Sequence, residues 1–311
     1  MLTTLNIVAP VFAIVALGFY AVKFRFYPAT GVSGLIAFVN NFATPFLLFR
    51  AMLGVDFESA FKPDVISAFY VGAVAVFVLG LLVSHRIFAR RPGDSVSAGF
   101  ATMFSNTVLL GIPIMQRAYG EDALQTVYTI IGFHATILLP LGMITMEFSR
   151  RDGAKLAVTL SQVFTRIVKN PLMIGILAGL LANFAGVQLN EPIDAFTSMM
   201  AQAVLPAALF GLGGALNAYR VRDDWRLPLS LSLIKLFFQP AIVWVILVWL
   251  LQVEQNIARY AIVLAGMPSG ISSYIFATTY KRAEDIAAST VLISTLLSVL
   301  SVSFWLYIMA L

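Results

Sequence analysis

Cysteine is absent from the 311 residues of the chain. That removes disulfides, thiolate metal ligands and cysteine nucleophiles from the possible chemistry. Charge is scarce too: Asp, Glu, Lys and Arg make up 11% of residues, against 60% hydrophobic ones. A soluble domain of this length needs a larger polar fraction to cover its surface. No low-complexity tract interrupts the chain, and no polar stretch is long enough for a separate soluble domain. No aspartate lies at the centre of an apolar run, which argues against an aspartate-based cation antiporter. The formal charge of +5 does not point to nucleic acid, because the basic residues are dispersed in short segments between apolar runs.

What remains is a series of long apolar runs. About 20 such residues cross a hydrocarbon core of about 30 Å, and ten runs qualify: residues 4–22, 33–53, 64–88, 97–119, 122–147, 167–187, 195–218, 227–252, 256–279 and 284–310. The first lacks a basic leader and a cleavage motif, so it reads as a retained span. The longest polar stretch, with Arg150, Arg151, Asp152, Lys155 and Arg166, falls at mid-chain. The expected organisation is a first five-span repeat over 1–148, a cytoplasmic connecting loop over 149–166 and a second repeat over 167–311. Loops after spans one, three, five, seven and nine carry 15 of the 20 Lys and Arg, while the opposite side has only Arg50, Lys62, Arg117 and Arg259. The excess marks the cytoplasmic side. It predicts a multi-pass protein of the cytoplasmic (inner) membrane with both termini outside the cytoplasm.

The two halves echo each other. Pro10 and Pro171, Gly18 and Gly179, Pro45 and Pro206, Phe49 and Phe210, and Tyr119 and Tyr280 are each separated by 161 positions. An odd number of spans per half sends the second half into the membrane from the other side. The repeats are therefore expected to be inverted, an arrangement common to many transporters.

Spans four and nine carry helix-breaking residues near their centres. The fourth contains Asn106, Thr107, Gly111 and Pro113; the ninth contains Gly266, Pro268, Ser269, Gly270 and Ser272. Proline removes a donor and clashes with the preceding turn, and glycine permits non-helical backbone. Interrupted backbone in hydrocarbon is tolerated only when buried in protein or facing a wet cavity. Half-helices beginning after Pro113 and after Pro268 would each present a positive dipole end to the membrane centre, a focus for an anion such as a carboxylate. Ser269 is a candidate cap for the second. A packed bundle with two simple proline kinks is the plainer alternative.

Polar side chains inside the spans are few. Asn41, next to Asn40 and ahead of Pro45, either faces a polar pathway or bonds helices together. Lys235 in span eight is a candidate partner for substrate or a proton-coupling group, unless it snorkels to the interface. His134 in span five is a candidate proton relay or a hydrogen-bonded packing residue. Glu147 and Arg117 lie near span ends and read as interfacial.

The ten runs, the basic central stretch, and the segments Asn106-Thr-Val-Leu-Leu-Gly-Ile-Pro113 and Gly266-Met-Pro-Ser-Gly270 resemble the auxin efflux carrier family. The short central loop is similar to its bacterial members rather than to the plant carriers. The resemblance extends over essentially the whole chain. It implies an all-α membrane fold of ten helices in two inverted five-helix repeats, with broken, crossing helices four and nine. It also implies an elevator-type motion of the crossing helices against a scaffold, and organic-anion substrates such as malonate, malate and auxin-like carboxylates. A homodimer is frequent in the family. By match to its motif, Asn106, Pro113, Pro268 and the small residues around them are substrate-site or crossover positions. The acidic and basic pair that the plant carriers place in span three has no counterpart between Asp64 and Arg86.

The expected function is therefore transport of a small organic anion, with a proton or sodium ion as undecided coupling partner, lipid as surroundings, and no cofactor, metal or nucleic acid. A channel or an ion-coupled antiporter stands as an alternative. An intramembrane serine hydrolase built on Ser269 and His134 is a weaker one, because Met267 breaks the usual Gly-x-Ser-Gly spacing.

Overall fold

The computed structural model describes residues 2–55, 62–150, 165, 169–218 and 225–310. Arg151, Asp152, Lys155 and Arg166 of the expected connecting loop, and Arg220 and Arg222 of another basic loop, lie outside the described residues. Within them the fold is entirely helical, without strands. The elements are α1 (Leu2–Lys23), α2 (Ala29–Leu53), α3 (Pro63–Ile87), α4 (Pro92–Met103), α5 (Ile112–Tyr119, preceded by the π turn Thr107–Gly111), α6 (Glu121–Arg150), α7 (Pro171–Phe184), α8 (Glu191–Leu216), α9 (Arg226–Leu250), α10 (Gln255–Ala265), α11 (Ile271–Tyr280) and α12 (Glu284–Ile308).

Seven of these, α1, α2, α3, α6, α8, α9 and α12, are long and apolar enough to cross a membrane, and α7 is a shorter apolar helix. Expected spans four and nine are each split in two, as α4 with α5 and α10 with α11. Helix is the form that satisfies all backbone groups within one apolar segment. The starts are chemically marked. Pro63, Pro92 and Pro171 sit in first turns, and Asn170 and Asn190 cap α7 and α8 by accepting from Leu172 N–H and Ile193 N–H.

Three helices loosen into π turns just ahead of a proline. The turns Val39–Ala43, Thr107–Gly111 and Ile234–Phe238 end two residues before Pro45, Pro113 and Pro240. A proline lacks the N–H that would claim a carbonyl one turn back, so the preceding turn can widen. Asn40, Asn41, Thr107 and Lys235 all sit in these widened turns.

Helix pairing is set by close backbone approach. A Cβ on Gly18 of α1 would lie 2.1 Å from the Phe210 carbonyl oxygen of α8, and one on Gly179 of α7 would lie 2.4 Å from that of Phe49 in α2. Polar ties close the ends of the same pairs. The Asn217 amide donates to Phe19 O, and the Asn183 amide donates to Leu53 O. Arg50 of α2 pairs with Asp194 of α8 at 2.6 Å. The side chains are 30% and 50% exposed, so the pair contributes less than a buried one would. Elsewhere large apolar side chains such as Leu17, Leu181, Trp249 and Leu300 point outward, as the surface of a membrane protein requires.

Candidate functional site: the crossing of two broken helices

The first broken segment leaves helix after Met103, runs extended through Phe104, and starts again at Thr107. The second stops at Ala265 and starts again at Ile271. The two breaks cross as an antiparallel bridge centred on Ser105 and Ser269. Asn106 N–H donates to Pro268 O and Gly270 N–H donates to Phe104 O, both at 2.8 Å. These two bonds exchange if the segments are exchanged. Backbone groups that would be orphaned by the interruption thus satisfy each other. Gly270 makes the approach possible, since a Cβ there would meet the Ser105 carbonyl at 3.3 Å.

Both half-helix starts face one cavity of about 260 Å³. Its polar lining is Asn40 and Asn41 from α2, Ser105, Asn106 and Thr107 from the first break, His134 from α6, Asn170 at the start of α7, and Ser272 beside Gly270 from the second break. Among the described residues, no Lys, Arg, Asp or Glu lines it. Asn106 Oδ1 accepts from Leu109 N–H at 3.2 Å, capping the first half-helix. Its Nδ2 is buried without a partner. The hydrogen bonds around residues 104–109 and 268–273 provide no acceptor for the N–H groups of Val108, Ile271 or Ser272, as expected of helix starts. His134 is 3% exposed, and neither ring nitrogen has a hydrogen-bond partner. The ring stacks edge-on to Phe104 at 4.6 Å, and the Ser105 backbone lies near without a well-formed bond.

The site is therefore rich in donors and poor in fixed charge. Two dipole ends of about half a charge each, free amide donors and an imidazole suit an anion. The volume lies below the range for drug-sized ligands, so the guest is small. A second cavity, of about 430 Å³ between Met52, Phe133, Thr136, Met173 and Leu177, is larger but almost wholly apolar, and its chemistry offers an anion nothing.

The structure unites Asn41, Asn106, Thr107, Gly270, Ser272 and His134 from the residues singled out in the sequence. It sets others apart. The first half-helix begins at Thr107 rather than after Pro113, because Asn106 caps it; Pro113 is buried one turn further on and does not line the cavity. Gly111 packs instead, with a Cβ there meeting Leu264 at 2.8 Å. Pro268 contributes its carbonyl to the crossing, not its ring to the cavity. Ser269 does not cap α11. Its hydroxyl donates to Ala101 O at 2.6 Å and lies 3.3 Å from Ser273 Oγ, leaving Gly270 as a cap without a side chain. With Ser269 so engaged and His134 unpartnered, no Ser–His dyad exists.

Lys235 neither snorkels nor lines the cavity. It is fully buried, and its Nζ donates to Gln239 Oε1 and, at 2.8 Å, to Ala265 O at the end of α10. Arg117 is exposed and donates to the carbonyls of Asn6 and Ile7. Asn40, Ser105 and Asn170 were not singled out as site residues. Asn170-Pro171 carries the mark of a helix start, which is the signal that locates it.

Comparison with known proteins bears on the same residues. A family model described as "Membrane transport protein" matches residues 3–306. A Rhizobium meliloti (strain 1021) protein named "Putative malonate transporter" is 26% identical over 97% of this chain and 95% of its own. The Arabidopsis thaliana "Auxin efflux carrier component 8" is 22% identical over 93% of this chain and 92% of its own. The mouse (Mus musculus) "Lysosomal cholesterol signaling protein" is 26% identical over 95% of this chain, which spans 36% of that longer protein. The chain belongs to the membrane transport protein family that includes the auxin efflux carriers, whose members are transporters and not enzymes.

Proposed function

We propose that the protein carries a small organic anion, a mono- or dicarboxylate, across the cytoplasmic membrane by alternating access. The observation that carries this reading is the convergence of two half-helix starts, with the unpartnered Asn106 Nδ2, on one small cavity to which the described residues contribute no fixed charge. A carboxylate satisfies the donors that the protein leaves open. The relative named for malonate fits the same chemistry.

The finer architecture belongs to this proposal. We read 1–148 and 167–311 as inverted five-helix repeats joined through 149–166. Gly18 against Phe210 and Gly179 against Phe49 are contacts that interchange between halves. The two crossing bonds interchange in the same way. In an elevator cycle, α4, α5, α10 and α11 would move with α3, α6, α9 and α12 against a frame of α1, α2, α7 and α8. The excess of Lys and Arg in one set of loops supports a topology with both termini outside the cytoplasm.

Uptake of labelled malonate into proteoliposomes, with competition by other carboxylates and by neutral analogues, tests the reading. Saturable uptake blocked by small carboxylates is expected. Movement of a cation or neutral solute with indifference to every carboxylate would overturn it, and conductance far above carrier rates would favour a channel.

A further inference from the structure

The two broken helices end in chemically unlike ways. Ala101, near the end of α4, and Ala265, at the end of α10, stand the same number of positions before Ser105 and Ser269, the centres of the crossing. Each carbonyl accepts a side-chain hydrogen bond in place of the lost helical one. Ala101 O accepts from the neutral hydroxyl of Ser269. Ala265 O accepts from Nζ of Lys235. One carbonyl terminus is thus closed by a hydroxyl and the other by a titratable amine, five residues from the second anion-facing helix start.

That amine has no carboxylate beside it. The titratable and charged groups on the elements packed against Lys235 are Asp64, Tyr70, His85 and Arg86 of α3, Asp94 of α4, Arg259 and Tyr260 of α10, Glu284, Asp285 and Tyr307 of α12, and Arg226 on α9 itself. Among the described residues, none is in ion-pair or hydrogen-bond contact with it. His134 of the cavity lining makes no hydrogen bond with it. The ammonium is supported by the negative end of the α10 dipole, a carbonyl and an amide oxygen. Against it stands the cost of a buried charge without a counter-ion. An anion at the half-helix start, where Gly270 lines the cavity five positions after Ala265, would shift that balance.

We propose that Lys235 is the proton-carrying partner of the bound anion. When the anion seats at the half-helix starts, the Lys235 amine takes one proton from solvent; when the anion leaves, Nζ returns it. Carboxylate and proton then cross together, and no sodium ion is required. This rests on the proposed anion site.

Calorimetric titration of the purified protein with malonate between pH 7 and 9, where the free ligand is fully ionised, tests it when repeated in buffers of different ionisation heat. The wild type should take up close to one proton per anion bound, and affinity should fall by up to about tenfold per pH unit as pH rises. Lys235→Arg, which keeps the charge, should bind without proton uptake or pH dependence. Lys235→Met should bind several-fold more weakly and equally without uptake. Binding without proton uptake in the wild type, or uptake retained in Lys235→Arg, would each overturn the proposal while leaving the anion site standing. Absence of any anion binding would overturn both. The wild-type measurement needs no variant to fold, and sodium omission in the same cell should change nothing.

Discussion

Asn106 does two jobs with one amide: its oxygen caps a half-helix and its nitrogen stays open to the cavity. Substitution separates them. Aspartate is as good a cap as asparagine, whereas alanine costs about 1 kcal/mol at such a position. Asn106→Asp is expected to melt within about a degree of wild type yet lose at least tenfold in malonate affinity, because it puts a carboxylate where the ligand's belongs. Asn106→Ala should lose both stability and affinity. Thermal shift and calorimetry on the two variants check this. Equal binding by wild type and Asn106→Asp would contradict it. At this scale the sequence was partly legible. The residue types marked Asn106 and Gly270 because polar and small residues at mid-span are rare. They could not say that Ser269 turns to Ala101, or that Lys235 closes a helix end, since both partners lie far away in sequence.

Elements explain where the breaks fall. Pro113 appeared to be the place of interruption, but a proline near a helix start is tolerated, and what the chain does is widen the turn ahead of it. The same relation holds at Pro45 and Pro240. Pro113→Ala restores a backbone donor and should tighten the turn Thr107–Gly111, moving Thr107 and the Asn106 cap. We expect a folded protein whose uptake falls severalfold; uptake equal to wild type would mean the widened turn is dispensable. Helix pairing makes a second prediction. Gly18→Val and Gly179→Val each drive a side chain into a carbonyl and should cost about 1–3 kcal/mol or more. Gly34→Ala, with no atom within 4 Å of the new Cβ, should be neutral or stabilising by up to about 1 kcal/mol. Melting curves rank the three. The glycine pair was visible as a sequence echo, whereas its role as the place where two backbones meet was not, because periodicity identifies matching positions without saying which helix each one touches.

For the whole molecule, composition alone indicated a membrane protein of many spans, and ten apolar runs correspond to seven long helices, two split ones and one shorter one. The proposed elevator divides the helices into a moving and a fixed set, and the absence of cysteine makes the native chain a ready background for testing that division. Thr136 and Met173 touch between α6 and α7 at 3.4 Å, across the boundary that an elevator must slide. Phe46 and Phe196 meet between α2 and α8 with rings 5.1 Å apart, within the proposed frame. Oxidising a Thr136→Cys, Met173→Cys pair should stop uptake until the disulfide is reduced, while a Phe46→Cys, Phe196→Cys pair should leave transport running. Equal effects from both would remove the elevator.

The most direct measurement of the central claim is the position of a bound anion. An experimental structure of the protein with a bromine-labelled small dicarboxylate locates it by anomalous scattering. The account predicts a carboxylate between the two half-helix starts, within hydrogen-bond distance of Asn106 Nδ2 and of the N–H groups at Val108 or Ile271. A dicarboxylate seated anywhere else, with the crossing unoccupied at saturation, would contradict it.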